Sequence, residues 1–327
     1  LKVKTFIVLY LIVFLASLSV LEVSVLSLGN DPLPIRSTVK VAPVWRGLRV
    51  KGKWVVDDDG NVVVLRGANY GGYQQGRSNH TFEDYERMKS WGFNVVRLPI
   101  AWQYIEPEPG EYDESYLAMV DQDIQWAKRA GIYIIPDMSQ YYWSSRFTFH
   151  GGWSHGLPLW MVSGYNNSAE GRSQAITDFW LGKAPNGTEP TSENPSMQDR
   201  FIAMWKRITS RYVNETVIAA YDLFNEPLRG DILMASEAAN YVYSFYERLI
   251  SEIRKLDENH ILMYELMVGH TRVARLLNYS NIVFSFHFYR LSSLQGVSYS
   301  GNITELEDAF LSNYWKLPMI CLLYTSP

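Results

Sequence analysis

From Leu65 onward, short apolar runs alternate with longer amphipathic stretches, and each boundary carries its own punctuation. Phe93-Asn-Val95-Val96 ends at Arg97-Leu98-Pro99, and Ile132-Tyr-Ile134-Ile135 ends at Pro136-Asp137. Residues 217–223, 261–265, 282–287 and 317–320 repeat the pattern. Bounded apolar runs of this length predict buried strands, and Leu65-Arg-Gly67-Ala-Asn69-Tyr70 adds a short first one. Between them lie helix signals. Phe82, Tyr85, Met88 and Trp91 fall at helical spacing between a Thr81 cap and a Gly92 stop. Residues 116–130 stop at Gly131, and further helices are expected at 198–213, 235–256, 271–278 and 303–315. Seven strand–helix units in succession predict a parallel sheet covered by helices. At this length the expectation is an α/β fold, a (β/α)8 TIM barrel truncated at about strand seven.

Two stretches fall outside the repeat. Residues 48–64 read as an N-terminal β-hairpin turning at Asp57-Asp58-Asp59-Gly60-Asn61. Residues 141–195, rich in Trp, Gly, Asn and Ser, read as one irregular excursion after strand three. Its place on the face where strands end makes it a wall of a cleft.

Composition narrows the function classes. Hydrophobic residues make up 47% and charged ones 20%, which excludes a disordered chain. A net charge of −4 offers no basic surface, so nucleic acid is not an expected partner. Aromatic residues reach 14%, which suits a protein that stacks rings on sugars. Lys2 and Lys4 precede an apolar run over 5–21, so residues 1–29 are read as a signal peptide or membrane anchor. The expected location is secreted or extracellular, with a membrane tether through residues 5–28 as the alternative to cleavage. Residues 30–46, with Pro32, Pro34 and Pro43, form a linker to the domain at 47–320. Six Asn-x-Ser/Thr sequons, at Asn79, Asn166, Asn186, Asn214, Asn278 and Asn302, permit glycosylation. Cys321 is the single cysteine, and the segment 321–327 resembles a translated sequencing adapter, so it is excluded from the expected domain.

The candidate chemistry sits where apolar runs end: Asn69, Arg97, Asp137, Asn225-Glu226, Glu265, and His287 with Tyr289. A closed barrel converges such positions on one mouth. Asn225-Glu226-Pro227 is the sharpest of them, because an apolar run delivers a carboxylate and proline then stops the strand. His and acidic residues show no metal-ligand spacing, so neither metal nor cofactor is expected.

These motifs in their order resemble glycoside hydrolase family 5, within the retaining (β/α)8 glycosidases. The carriers are Gly92-Phe-Asn-Val-Val-Arg97-Leu-Pro, Leu223-Phe-Asn225-Glu226-Pro227 and His287-Phe-Tyr289. Glu106-Pro-Glu-Pro-Gly110-Glu-Tyr-Asp113 and Asp137-Met-Ser-Gln140 resemble the branch of endoglycoceramidases and exo-acting glucanases. The likeness covers about residues 48–320 and implies hydrolysis of a β-glycosidic bond in a polysaccharide or oligosaccharide by double displacement. It implies Glu226 as general acid/base, Asn225 on the sugar 2-hydroxyl, and Arg97 holding the nucleophile ionised. His287 would lie beside the acid/base, and Tyr289 beside the nucleophile. Substrate contacts are expected from Asn69, Trp102, Asp137, Ser139, Gln140, Trp143 and Glu265, with Trp102, Trp143, Trp153 and Trp160 as sugar platforms.

The chain departs from the family pattern twice. Ser139 stands where members place a histidine. The family's nucleophile, a glutamate ending strand seven, has no counterpart before the adapter-like segment, so this fragment is expected to be inactive alone. A β-glucan is the expected substrate of the intact enzyme. Mannan, a glycolipid head group, or sugar binding without turnover are the alternatives.

Overall fold

Seven parallel strands lie side by side in the order of the sequence, so every connection steps to the adjacent strand. They belong to a computed structural model that describes residues 47–149, 155–232, 234–265, 277–288 and 319–323. The leader and linker, Trp153, Tyr289, Asn302, the helix expected at 303–315 and residues 271–276 of that expected at 271–278 lie outside the described residues. The strands are β3 (Gly67–Asn69), β4 (Val95–Ile100), β5 (Tyr133–Ser139), β6 (Ala220–Asn225), β7 (Ile261–Glu265), β8 (Ile282–Phe288) and β9 (Met319–Leu323). A parallel sheet with this sequential order is the barrel arrangement that the repeat predicted. β9 pairs along Phe284–Phe288, which carries the sheet through Leu323, three residues past the expected limit at Ile320.

Burial explains the runs. Every residue of β4 and β6 is buried, as in a sheet covered on both faces. Four of the described helices open on side-chain caps. Helix α1 (Phe82–Ser90) opens on a Thr81–Asp84 capping box. Helix α2 (Trp102–Ile105) is a single turn after β4. Helix α3 (Glu114–Ala130) opens on Asp113 and closes on Gly131 at φ 67°. Helices α4 (Leu159–Val162) and α5 (Ala169–Trp180) precede α6 (Met197–Tyr212) and α7 (Ala235–Arg254).

Two expectations are corrected. The N-terminal hairpin turns at Gly52-Lys53, pairing β1 (Arg49–Lys51) with β2 (Trp54–Val56), and the Asp57–Asn61 turn leads only to an isolated Val56–Val62 bridge. A two-residue turn with glycine at φ 61° closes a tighter ladder than a five-residue one. The excursion at 141–195 is not uniformly irregular, since it contains α4 and α5. Ser168 caps α5, and Ala175, Ile176, Phe179 and Trp180 give it a buried face at helical spacing.

Gly67 shows how tightly the first two barrel strands pack. A Cβ there would lie 1.6 Å from the Val95 carbonyl oxygen, and that neighbour is backbone. Gly67→Ala is therefore expected to destabilise the fold by at least about 4 kcal/mol, read from urea unfolding. A loss within about 1 kcal/mol would show that β3 moves off β4 freely.

Candidate active site

Four adjacent strands aim charged side chains at one buried point. Arg97, on β4, is only 2% exposed and faces three carboxylates. Its Nε and Nη2 donate to Asp222 Oδ2 at 3.0 and 2.9 Å, a two-pronged pair from β6. Nη2 also donates to Asn225 Oδ1 at 2.8 Å and forms ion pairs with Asp137 of β5 at 2.9 Å and Glu265 of β7 at 3.4 Å. One guanidinium among three buried carboxylates leaves negative charge in excess. Burial pushes Asp137 well above the usual carboxylate range, with Arg97 opposing it. Burial, then the Glu265 charge, push Asp222 up to about 7.

Glu226 stands one residue beyond β6 with its backbone at φ 50°, a left-handed conformation unusual for a residue with a Cβ. Its N–H donates to Glu265 Oε2 at 2.6 Å, and its own Oε1 meets His287 Nδ1 at 2.8 Å. The other ring nitrogen, Nε2, lies 3.0 Å from Glu265 Oε1. The Glu226 side chain is 15% exposed and that of Glu265 3%, so Glu226 faces outward and Glu265 lies behind it. Burial by itself lowers the proton affinity of His287. The Glu265 charge and the hydrogen bonds to Glu226 and Glu265 reverse this and hold the imidazole up at about 10. Asp222, Glu265 and His287 bring ligand atoms within 4.8 Å of one another, a spacing that suits a cation. The Arg97 guanidinium already sits on two of the three.

A carboxylate at a strand end, backed by an imidazolium and a buried arginine, can exchange a proton with an oxygen arriving at the mouth. The sequence profile of cellulase (glycosyl hydrolase family 5) matches residues 56–317. The chain belongs to glycosyl hydrolase family 5. It resembles an endoglycoceramidase of Hydra vulgaris, 24% identical over 299 residues, 76% of this chain and 57% of that protein. Endoglucanase C of Acetivibrio thermocellus is 27% identical over 244 residues, 70% of this chain and 58% of that protein. Among solved structures, an endogalactoceramidase matches with a TM-score of 0.68 at 27% identity, over 84% of this chain and 66% of that one. The ganglioside GM3 complex of endo-glycoceramidase II from Rhodococcus sp. matches with a TM-score of 0.66 at 25% identity, over 80% and 65%. The chain thus spans less than three fifths of the length of these curated relatives, 57% and 58%.

Within this family 5 chain, the remaining predicted residues divide. Asp137 and Ser139 end β5 beside β6, and Gln140 follows them, fully buried. Neither polar atom of the Gln140 amide has a hydrogen-bond partner among the described residues, and the same holds for Asn69 Oδ1 at the end of β3. Near Ser139, where the family histidine is replaced, His155 Nδ1 reaches the Ser139 carbonyl at 3.3 Å, so an imidazole enters this region from the excursion. His155 lies 16 residues beyond Ser139, so the pattern at the strand end carried no signal for it.

Other placements correct the expectations. Trp102 is fully buried, its indole donates to Glu106 Oε2 at 2.7 Å, and its ring packs edge-on to Phe201. It is a core residue, with no face to offer a sugar. Trp143 is likewise fully buried, between Phe179, Trp180 and Phe224. Trp160 donates to the Glu106 carbonyl and lies under Arg200, a packing role in the excursion. Glu265 is turned inward onto Glu226 and His287 rather than toward a substrate. Arg97 also has a partner that sequence reasoning passed over, Asp222. An aspartate inside the apolar run Tyr221-Asp222-Leu223 was the available signal, because a buried charge requires a partner.

Trp102→Phe is expected to cost about 1–3 kcal/mol of stability, since it leaves the buried Glu106 carboxylate without its indole donor. KM for sugar substrates is expected to stay unchanged. A KM rise with unaltered stability would restore Trp102 as a sugar contact.

Proposed function

We propose that the intact protein is a retaining β-glycosidase in which Glu226 is the general acid/base. The observation that carries this reading is the placement of Glu226: outward-facing at the end of β6, in contact with a charged His287, with Arg97 and Asn225 bonded behind it. Protonating the glycosidic oxygen and later activating water requires one carboxyl that gains and loses a proton at the mouth. The nucleophile in this reading is the glutamate that the family carries at the end of barrel strand seven. Glu265 is a poor substitute. The two carboxyls of a retaining pair stand roughly 5–5.5 Å apart with the sugar between them, whereas here the His287 ring fills that position.

For the substrate, the two kinds of relative support two different classes. Similarity to the endoglycoceramidases favours a glycolipid head group, and similarity to endoglucanase C keeps a β-glucan as the second reading. Fluorescent lactosylceramide and cellotetraose, each incubated with the full-length protein, separate the two. Release of the oligosaccharide as its β-anomer, seen first by NMR, is the expected result. An α-anomer first would refute retention, and cleavage of neither substrate class would refute the reading.

A further inference from the structure

Behind Glu226 lies a carboxylate that the double-displacement scheme does not use. Glu265 ends β7, is 3% exposed, and has both oxygens engaged. Its Oε2 accepts the Glu226 backbone N–H at 2.6 Å, and its Oε1 faces His287 Nε2 at 3.0 Å and Arg97 Nη2 at 3.4 Å. Its own N–H donates to the Tyr246 hydroxyl of α7 at 3.2 Å, so the strand end is tied to the helix behind it. We propose that Glu265 is a positioning residue for Glu226: one oxygen pins the backbone of Glu226, the other holds the imidazole that touches its carboxylate. The proposal rests on reading Glu226 as the acid/base.

The argument is geometric. A non-glycine residue at φ 50° is strained and persists only where its surroundings hold it. A charge-assisted bond to its N–H supplies such a hold. At the ring, a carboxylate on Nε2 fixes which nitrogen meets Glu226 and favours the protonated form. Among the described residues, the charged strand residues that act on His287 besides Glu226 are Arg97 of β4, Asp137 of β5, Asp222 of β6 and Glu265 of β7. Of the carboxylates among them, Glu265 contacts both members of the His287–Glu226 pair. Removing its charge therefore lowers the proton affinity of the imidazole, and His287 should give up its proton at lower pH.

Glu265→Gln tests this, since the amide keeps the shape and an acceptor for the Glu226 N–H but presents no charge to His287. With 15N-labelled histidine, the His287 titration followed by NMR should fall by about 2 pH units or more. In the full-length enzyme the alkaline limb of kcat/KM should move to lower pH in parallel. An unchanged His287 titration in a folded Gln variant overturns the proposal. Glu265→Asp provides the second reading, because it keeps the charge. His287 should stay protonated to high pH in it, and a titration that drops as far as expected of Gln would overturn the proposal too. The NMR measurement needs no turnover. An inactive wild type would therefore count against the glycosidase reading and leave the positioning test intact.

Discussion

Glu226→Gln is expected to lower kcat/KM of the full-length enzyme by about 10³-fold on substrates with poor leaving groups. Activated aryl glycosides should lose far less in the first step, because a leaving group that departs as a stable anion needs no proton. The physical basis is the position of the side chain: 15% exposed, at the mouth, and bonded to His287 at 2.8 Å. Gln keeps the size and a hydrogen-bonding oxygen, so a loss confined to poor leaving groups isolates proton transfer from packing. The measurement is a paired set of kcat/KM values for an alkyl glycoside and a dinitrophenyl glycoside of the same sugar. Equal losses on both would show that Glu226 does not donate the proton. An unchanged melting temperature in the variant guards against the bland explanation of a damaged fold.

The parts of this molecule that were legible in the sequence are those determined by local pattern. Val95–Ile100 and Ala220–Asn225 are buried throughout, so their apolar runs announced them. Thr81 and Gly131 announced helix ends, because caps satisfy backbone groups that the helix itself leaves open. Glu226 was legible because a polar pair after an apolar run has to emerge somewhere. The rest depends on contacts distant in sequence. Asp222 acquires meaning only from Arg97, 125 residues away, and a single strand read by itself shows just one misplaced charge. Trp102 and Trp143 follow strand ends, yet position along the chain does not say whether an indole points to the mouth or to the core. Glu265 was placed at the right end of β7, but its direction is set by the backbone of Glu226, which only the assembled sheet brings near. Helix α5 escaped notice because Gly171 and several polar residues dilute its apolar face.

Arg97→Met should be the most destabilising change at the site, by about 3–5 kcal/mol at pH 8. Arg97 binds Asp222 through two nitrogens and contacts Asp137, Asn225 and Glu265, so its removal leaves buried carboxylates with no guanidinium. The pH dependence gives the test its direction. Asp222 sits near 7 in the folded protein, above the ordinary carboxylate value, so folding favours its protonated form. That stability is fully present below about pH 4 and is lost as pH rises through 7. His287, held at about 10 against an ordinary value of 6.5, adds a second loss between those two values. Wild-type stability from these groups should therefore decline from pH 5 to pH 10. In Arg97→Met, the positive charge that lowers Asp222 and Asp137 is gone, so both move further up and the decline steepens. Protonating them at pH 5 removes most of the repulsion. The variant should then approach wild type in urea unfolding at pH 5 and fall furthest behind at pH 8. A deficit that is equal at both values, or larger at pH 5, would mean that Arg97 stabilises the barrel through its packing and not by balancing the carboxylates gathered beneath Glu226.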